Sequence, residues 1–192
     1  QRALANNSVA YKNKPEMGTF MREWLALYDS KSGERGIFNR EAADKQVARN
    51  GRRDTGYMWG TNPCSEIILR PYQFCNLSEV VVRESDTLES LKKKVRLATI
   101  LGTLQSTLTD FKYLRKIWRD NTEDERLLGV SLTGIMDHGV LSKTTDSKRW
   151  LEEMRQVAID TNLKYANMLG IPQSSAITCV KPSGTVSQLV DA

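Results

Sequence analysis

The run from Leu77 to Asp110 reads LSEVVVRESDTLESLKKKVRLATILGTLQSTLTD, and its hydrophobic period changes part-way along. Leu77 to Val82 is a short apolar run rich in β-branched valine and of strand length. From 86 to 110, Leu88, Leu91, Val95, Ala98, Leu101, Leu104 and Leu108 recur at intervals of three or four, the spacing of one helical face. Asp86 and Glu89 have the spacing of a capping box. The stretch predicts a strand followed by a helix whose stripe faces a core.

The same alternation continues on both sides. Leu128 to Thr133 alternates Leu128, Val130 and Leu132 and predicts a strand. A second long helix opens near Thr145 or Asp146, turns Trp150, Met154, Val157 and Tyr165 inward, and ends at Gly170 with Pro172 beyond. Ala176 to Val180 predicts another strand. Upstream, Met17 to Tyr28 has the pattern of an amphipathic helix, while Ser32-Gly33-Glu34-Arg35-Gly36 and Arg52-Arg53-Asp54 have that of loops. Strands alternating with helices imply an α/β architecture with helices packed on a largely parallel sheet or barrel. There is no internal repeat, linker or low-complexity tract.

Composition sets the outer bounds. A chain of 192 residues that is 40% hydrophobic fits one domain and buries a core without disulfide staples. No apolar run approaches a membrane span, and the N-terminal QRALANNSVAY lacks both an initiator Met and the build of a signal peptide, so a cytoplasmic protein is expected. The sequence stops at SQLVDA just as a new apolar periodic segment begins, which suggests a piece of something longer. Three cysteines without secretory features point to reduced or catalytic thiols. The net charge of +5 and pI near 9.1 favour anionic partners without choosing among them, and Lys92-Lys93-Lys94 reads as the solvated face of a helix.

Chemistry concentrates in Gly60-Thr61-Asn62-Pro63-Cys64-Ser65-Glu66-Ile67, with a second cysteine in Phe74-Cys75-Asn76-Leu77. Pro63 restricts Asn62 to extended geometry, and in an extended segment residues 62, 64 and 66 project to one side. An amide that holds a hydroxyl, a thiol and a carboxylate that removes a proton would then share a face. The competing reading makes Cys64 a small buried hydrophobe flanked by loop polars. Structural zinc is disfavoured, because Cys64, Cys75, Cys179 and His138 lack paired close spacings. A Cys–His hydrolase would need His138 against Cys64, and nothing local suggests it.

Asn-Pro-Cys-Ser-Glu-Ile followed by Cys-Asn-Leu at this distance resembles the finger loop and reductant cysteine of ribonucleotide reductase large subunits. The similarity extends through Ser32 to Phe38, through Arg126-Leu127-Leu128-Gly129-Val130, and to Lys181-Pro182-Ser183-Gly184-Thr185. It implies that residues 1–192 are part of a ten-stranded α/β barrel domain, with a central finger loop at about 60–75 and a substrate-phosphate loop at about 181–187. It also implies that Cys64 becomes the thiyl radical that takes the ribose 3′ hydrogen, that Glu66 is the base for the 3′ hydroxyl and assists loss of the 2′ hydroxyl as water, and that Asn62 orients the ribose. Cys75 would be one of two reducing thiols, its partner lying outside this chain, so the isolated fragment is expected to be inactive. Pro182, Ser183, Gly184, Thr185 and Val186 would hold the substrate phosphate, where small residues and a helix start favour an anion. Simple helix capping by Ser183 or Thr185 is the alternative there. Cys179 reads as buried filler and His138 as structural.

Asn-Pro-Cys-Ser-Glu and Cys-Asn-Leu-Ser-Glu-Val are most similar to the adenosylcobalamin-dependent class, including enzymes acting on triphosphates. That implies adenosylcobalamin, a ribonucleoside tri- or diphosphate substrate, a thioredoxin- or glutaredoxin-type reductant and the rest of the reductase chain, with neither a resident metal nor a membrane or nucleic-acid partner. The class I enzymes, which depend on a metal subunit, are the alternative. Glycyl-radical reductases generally lack counterparts of Glu66 and Cys75 and fit less well. Outside enzymology the rival is a basic nucleotide- or RNA-binding module using Tyr57, Trp59 and Tyr72.

Overall fold

A computed structural model of the chain describes residues 7–31, 35–49 and 51–192. The chain divides into two compact units, Gln1–Pro71 and Tyr72–Ala192. The loop reading for Ser32, Gly33 and Glu34 lies outside the described residues.

The first unit begins with a β–α–β element that the hydrophobic pattern reveals only at its helix. Strand β1 (Asn7–Tyr11) pairs in parallel with β2 (Arg35–Asn39), and helix α1 (Met17–Ser30) lies between them in sequence. Glu16 caps α1 by accepting the N–H groups of Gly18 and Thr19 at 2.8 and 2.9 Å. Helix α2 (Arg40–Ala48) follows directly, capped by Asn39. Two very short antiparallel strands, β3 (Gly60–Thr61) and β4 (Ile68–Leu69), complete the unit. Its core is small: Ala43, Val47 and the fully buried Trp59, with Phe38 and Ile68 against them.

The second unit carries the strand–helix alternation read from the sequence. Strand β5 (Asn76–Val81) pairs in parallel with β6 (Leu128–Thr133) over six residue pairs, Asn76 opposite Leu128 through Val81 opposite Thr133. Between them run α3 (Leu88–Gln105) and α4 (Lys116–Glu125), and α5 (Thr144–Leu169) packs against α3. A parallel pair needs such a crossover, because a tight turn can only reverse the chain. Val80, Val82, Leu91, Val95, Leu128, Val130, Met154, Ala158 and Ile177 form the core. Gly134, just after β6, has φ +79°, and a β-carbon there would lie 2.5 Å from the carbonyl oxygen of Val82, so only glycine fits.

Several sequence expectations change in detail. Helix α3 starts two residues later than expected and is capped by Thr87 with Ser90, because the Asp86 carboxylate is occupied by Lys94, Ser90 Oγ and the Arg83 N–H. Its buried row runs Leu91, Val95, Thr99, Gly102 and Thr103, whereas Leu101 and Leu104 point outward. The threonine hydroxyls donate back to carbonyls one turn earlier, Thr99 to Val95 and Thr103 to Thr99, which makes small polar residues tolerable inside. Lys93 lies on the solvated face as expected, while its half-buried neighbours are ion-paired there: Lys92 bridges Glu89 and Glu153, and Lys94 binds Asp86 at 2.6 Å.

The segment Ala176–Val180 runs beside β6 with a single parallel bridge, Val130 to Thr178. It is not a regular strand, because the Leu128 N–H reaches Ala176 O, one residue out of parallel register, and the Lys181 N–H turns to Ser131 Oγ. Pro182 then offers no N–H at all. Helix α5 ends as expected, on Gly170 in the left-handed region. No described helix is long and apolar enough to cross a membrane.

Candidate active site

The Asn62–Ile67 segment is a hairpin loop, and its shape follows from two turn-forming residues. Pro63 pre-sets φ at the first central position of a turn, and the Ser65 N–H donates to Asn62 O at 3.0 Å, closing it. Ser65 itself sits at φ +64°, a conformation that lets the chain double back. The Asn62 N–H donates to Ile67 O at 3.4 Å, while Asn62 Oδ1 accepts the Ile67 N–H at 3.0 Å. The expectation of an extended 62–66 segment with alternating side chains is therefore overturned. A turn, not the period of a strand, sets the course of the loop that carries Asn62, Cys64 and Glu66.

Within that loop Cys64 is an exposed free thiol at the second central position of the turn. Asn62 is half-buried with its amide oxygen committed to the loop, which leaves the amide NH2 to meet a ligand. Glu66 is also half-buried, and its Oε2 lies out of reach of solvent. Thr61 Oγ1 and Ser65 Oγ share a hydrogen bond of 3.3 Å across the mouth of the loop. The apolar anchor is Ile67, which is buried.

Cys75 belongs to the second unit and immediately precedes β5. It is a half-buried cysteine outside any disulfide, in a cleft of about 630 Å³ walled by Phe74, Phe111 and Tyr113. Phe74 is held between Phe111, edge-on at 5.1 Å, and Trp118, stacked at 4.8 Å.

The 181–187 loop leads into one helical turn, α6 (Val186–Leu189). Ser183 Oγ accepts the Ser187 N–H at 3.0 Å and lies 3.3 Å from Thr133 Oγ1, so the capping role falls to Ser183. Thr185 makes no side-chain cap bond. Among the described residues, the N–H groups of Gly184, Thr185 and Val186 have no protein acceptor. A small cavity lined by Ser187 and Gln188 also carries the carboxylates of Asp137 and Asp191, which disfavour an anion at that spot.

The fold and these sites can be compared with known proteins. A solved structure titled as a B-12 dependent (class II) ribonucleotide reductase superposes with a TM-score of 0.71 over 97% of this chain and 29% of its own, at 24% sequence identity. The adenosylcobalamin-dependent ribonucleoside-triphosphate reductase of Lactobacillus gasseri is 31% identical over 227 residues, covering 98% of this chain and 28% of that enzyme. The Lacticaseibacillus paracasei enzyme of the same name is 29% identical over 98% of the chain. The chain is homologous to one part of these reductases. It spans between 21% and 29% of the length of the curated relatives it matches. The Euglena gracilis reductase, 30% identical over 81% of the chain, extends the similarity to a eukaryote. No protein-family model matches.

Of the three aromatic residues named for the RNA-binding alternative, Trp59 is fully buried and donates its indole N–H to Asp44, whereas Tyr57 and Tyr72 are exposed. His138 is buried in a structural position: Nδ1 accepts the N–H groups of Val140 and Leu141 at 3.2 Å, so Nε2–H donates to Asp86 O at 2.9 Å. Cys179 departs from the filler reading, being half-buried on the wall of an apolar cavity of about 310 Å³ with Met154 and Leu132.

Sequence reasoning missed the support beneath the reductase-like hairpin. Asp44 accepts both the Trp59 indole N–H and the Gly56 N–H, and the Trp59 bond followed by the Gly56 bond holds its carboxyl below the usual range. Arg70 Nη1 donates to Tyr57 OH at 3.1 Å. The run Tyr57-Met58-Trp59 next to the motif was the available signal, since a tryptophan beside a loop needs burial and a partner for its N–H.

Proposed function

We propose that this chain supplies part of the catalytic barrel domain of a cytoplasmic ribonucleotide reductase, which converts ribonucleotides to 2′-deoxyribonucleotides for DNA precursor synthesis. The observation that supports the reading is the tight Asn62–Ser65 turn, which presents Cys64 as an exposed free thiol on the hairpin loop that also carries Asn62 and Glu66. The names of the curated relatives supply the reaction class.

Cys64, as a thiyl, takes the ribose 3′ hydrogen and later returns it. Glu66 removes the 3′ hydroxyl proton and helps the 2′ hydroxyl leave as water, a role that suits a carboxylate partly screened from solvent. The Asn62 amide NH2 holds a ribose hydroxyl. Cys75 and a partner thiol outside this chain give up two electrons and two protons and become a disulfide, which a thioredoxin- or glutaredoxin-type dithiol reduces again. The Gly184, Thr185 and Val186 N–H groups, together with Pro182 and Ser183, hold the substrate phosphate. The remainder of the barrel would close over Cys64, because a radical open to solvent is quenched.

Adenosylcobalamin, when bound, supplies the radical chemistry. No described residue is assigned to it. What this chain offers toward it is the exposed, unbonded thiol of Cys64, which suits a group approaching from outside this stretch.

The test uses the full-length protein with a ribonucleoside triphosphate, a dithiol and adenosylcobalamin, without any second subunit. Deoxynucleotide is the expected product. Product that appears only when a metal-containing subunit is added would replace the cobalamin assignment with class I.

A further inference from the structure

The hairpin that carries Cys64 cannot hold its own position. Its ladder has two residue pairs, Gly60 with Leu69 and Thr61 with Ile68, and an isolated two-stranded ribbon is at best marginally stable. The thiol sits three residues beyond the last pair, a reach of up to roughly 10 Å at about 3.3 Å per residue. A rocking of the ribbon by about 6° would therefore shift the sulfur by about 1 Å, and a misplacement of that size costs on the order of a hundredfold in rate.

Each leg of the ribbon is gripped from outside by a guanidinium. Arg40 Nε, from the start of α2, donates to Trp59 O at 2.8 Å on the residue that leads into β3. Arg53 Nη1, from the 51–56 segment, donates to Ile68 O at 2.9 Å in β4. The Arg53 guanidinium also lies over the Trp59 ring, 4.9 Å from its centroid, so one tryptophan links both grips. Trp59 is in turn fixed by its burial and by Asp44. These are charge-assisted bonds to backbone carbonyls, stronger than neutral ones. They act on both strands, where a grip on one strand would leave the ribbon free to pivot.

We propose that Arg40 and Arg53 are positioning residues for the Cys64 thiol, acting through the backbone of the hairpin. The proposal rests on the radical role given to Cys64 and goes beyond it. Neither side chain needs to touch a ligand for this. Their effect is on where the thiol stands and how far it wanders.

The test compares full-length Arg40→Ala, Arg53→Ala and the lysine variants at both positions with the parent. Two readouts are taken: kcat and KM for deoxynucleotide formation, and amide hydrogen exchange along the chain. The alanine variants should lose kcat by on the order of a hundredfold with KM for the nucleotide little changed. The Ser65 and Ile67 amides should exchange about tenfold faster or more while the Val82 and Val130 amides do not change. Lysine, which keeps a cationic donor, should recover part of both effects.

Exchange and kcat unaltered in the alanine variants would overturn the proposal. So would acceleration of all amides together, in alanine and lysine variants alike, which would make the arginines general supports of the fold. Failure of the radical reading is seen separately: Cys64→Ser would then keep full turnover, while the exchange contrast would still report on the grip.

Discussion

Asn62 Oδ1 accepts the Ile67 N–H at 3.0 Å, so a side chain from the motif ties the two ends of the loop that holds Cys64. One residue thus carries two duties, since its oxygen serves the loop and its NH2 is left for a substrate hydroxyl. The duties can be separated. Asn62→Asp keeps an acceptor for Ile67 but removes the donor, whereas Asn62→Ala removes both. One hydrogen bond is worth about 1 kcal/mol, so the Ile67 amide should exchange roughly fivefold faster in Asn62→Ala and near the parent rate in Asn62→Asp. Both variants should lose deoxynucleotide formation. Full turnover in Asn62→Asp would remove the amide from substrate binding.

Cys75 is predicted to matter only after chemistry on the sugar has begun. Cys75→Ser in the full-length protein should abolish turnover driven by a dithiol reductant while leaving nucleotide binding within about twofold, as expected for a residue that loses an interaction late in the reaction. The measurement is steady-state product formation beside equilibrium nucleotide binding. Sustained multiple turnover in the variant would exclude Cys75 as a reducing thiol.

The second unit should show a defined acid sensitivity at Asp86. Burial pushes this carboxyl up, but Lys94, Ser90 Oγ and the Arg83 N–H together outweigh it and leave it below its usual value of 3.8. A depressed carboxyl contributes stability that is fully present above the unfolded value and is lost as pH falls through the folded one. Melting temperature should therefore decline below about pH 4 in part through Asp86. Asp86→Asn should cost about 1–3 kcal/mol at neutral pH, because Lys94 and the Arg83 N–H lose their charged acceptor, and the difference from the parent should shrink in acid. An Asp86→Asn protein with unchanged melting temperature at pH 7 would contradict this.

The sequence was most legible where one period runs unbroken. Helix α5 keeps its spacing across Met154 and Val157 and meets Gly170 and then Pro172, so its end could be read directly. Strand β5 was legible from its run of β-branched valines, Val80 to Val82, and β6 from the alternation of Leu128, Val130 and Leu132. Helix α4 was not, because Lys116–Glu125 buries only Thr122 and Glu125 and shows no apolar stripe. The 176–180 segment misled because its composition is that of a strand, while its register beside Leu128 is set by tertiary fit.

At the site, residue types were legible and geometry was not. Pro63 does restrict the residue before it, but one extended residue says nothing about the next three, and the Ser65 N–H to Asn62 O bond bends them into a turn. The grips of Arg40 and Arg53 join residues 19 and 15 apart in sequence, and no local pattern encodes them.

Cys64→Ser in the full-length protein, assayed for deoxynucleotide formation from a ribonucleotide with adenosylcobalamin and a dithiol, tests the central claim most directly. A serine hydroxyl has the size of the thiol but cannot serve as a hydrogen-abstracting sulfur radical. The account predicts a folded protein that binds nucleotide and forms no detectable deoxynucleotide. Product formation at the parent rate would contradict it.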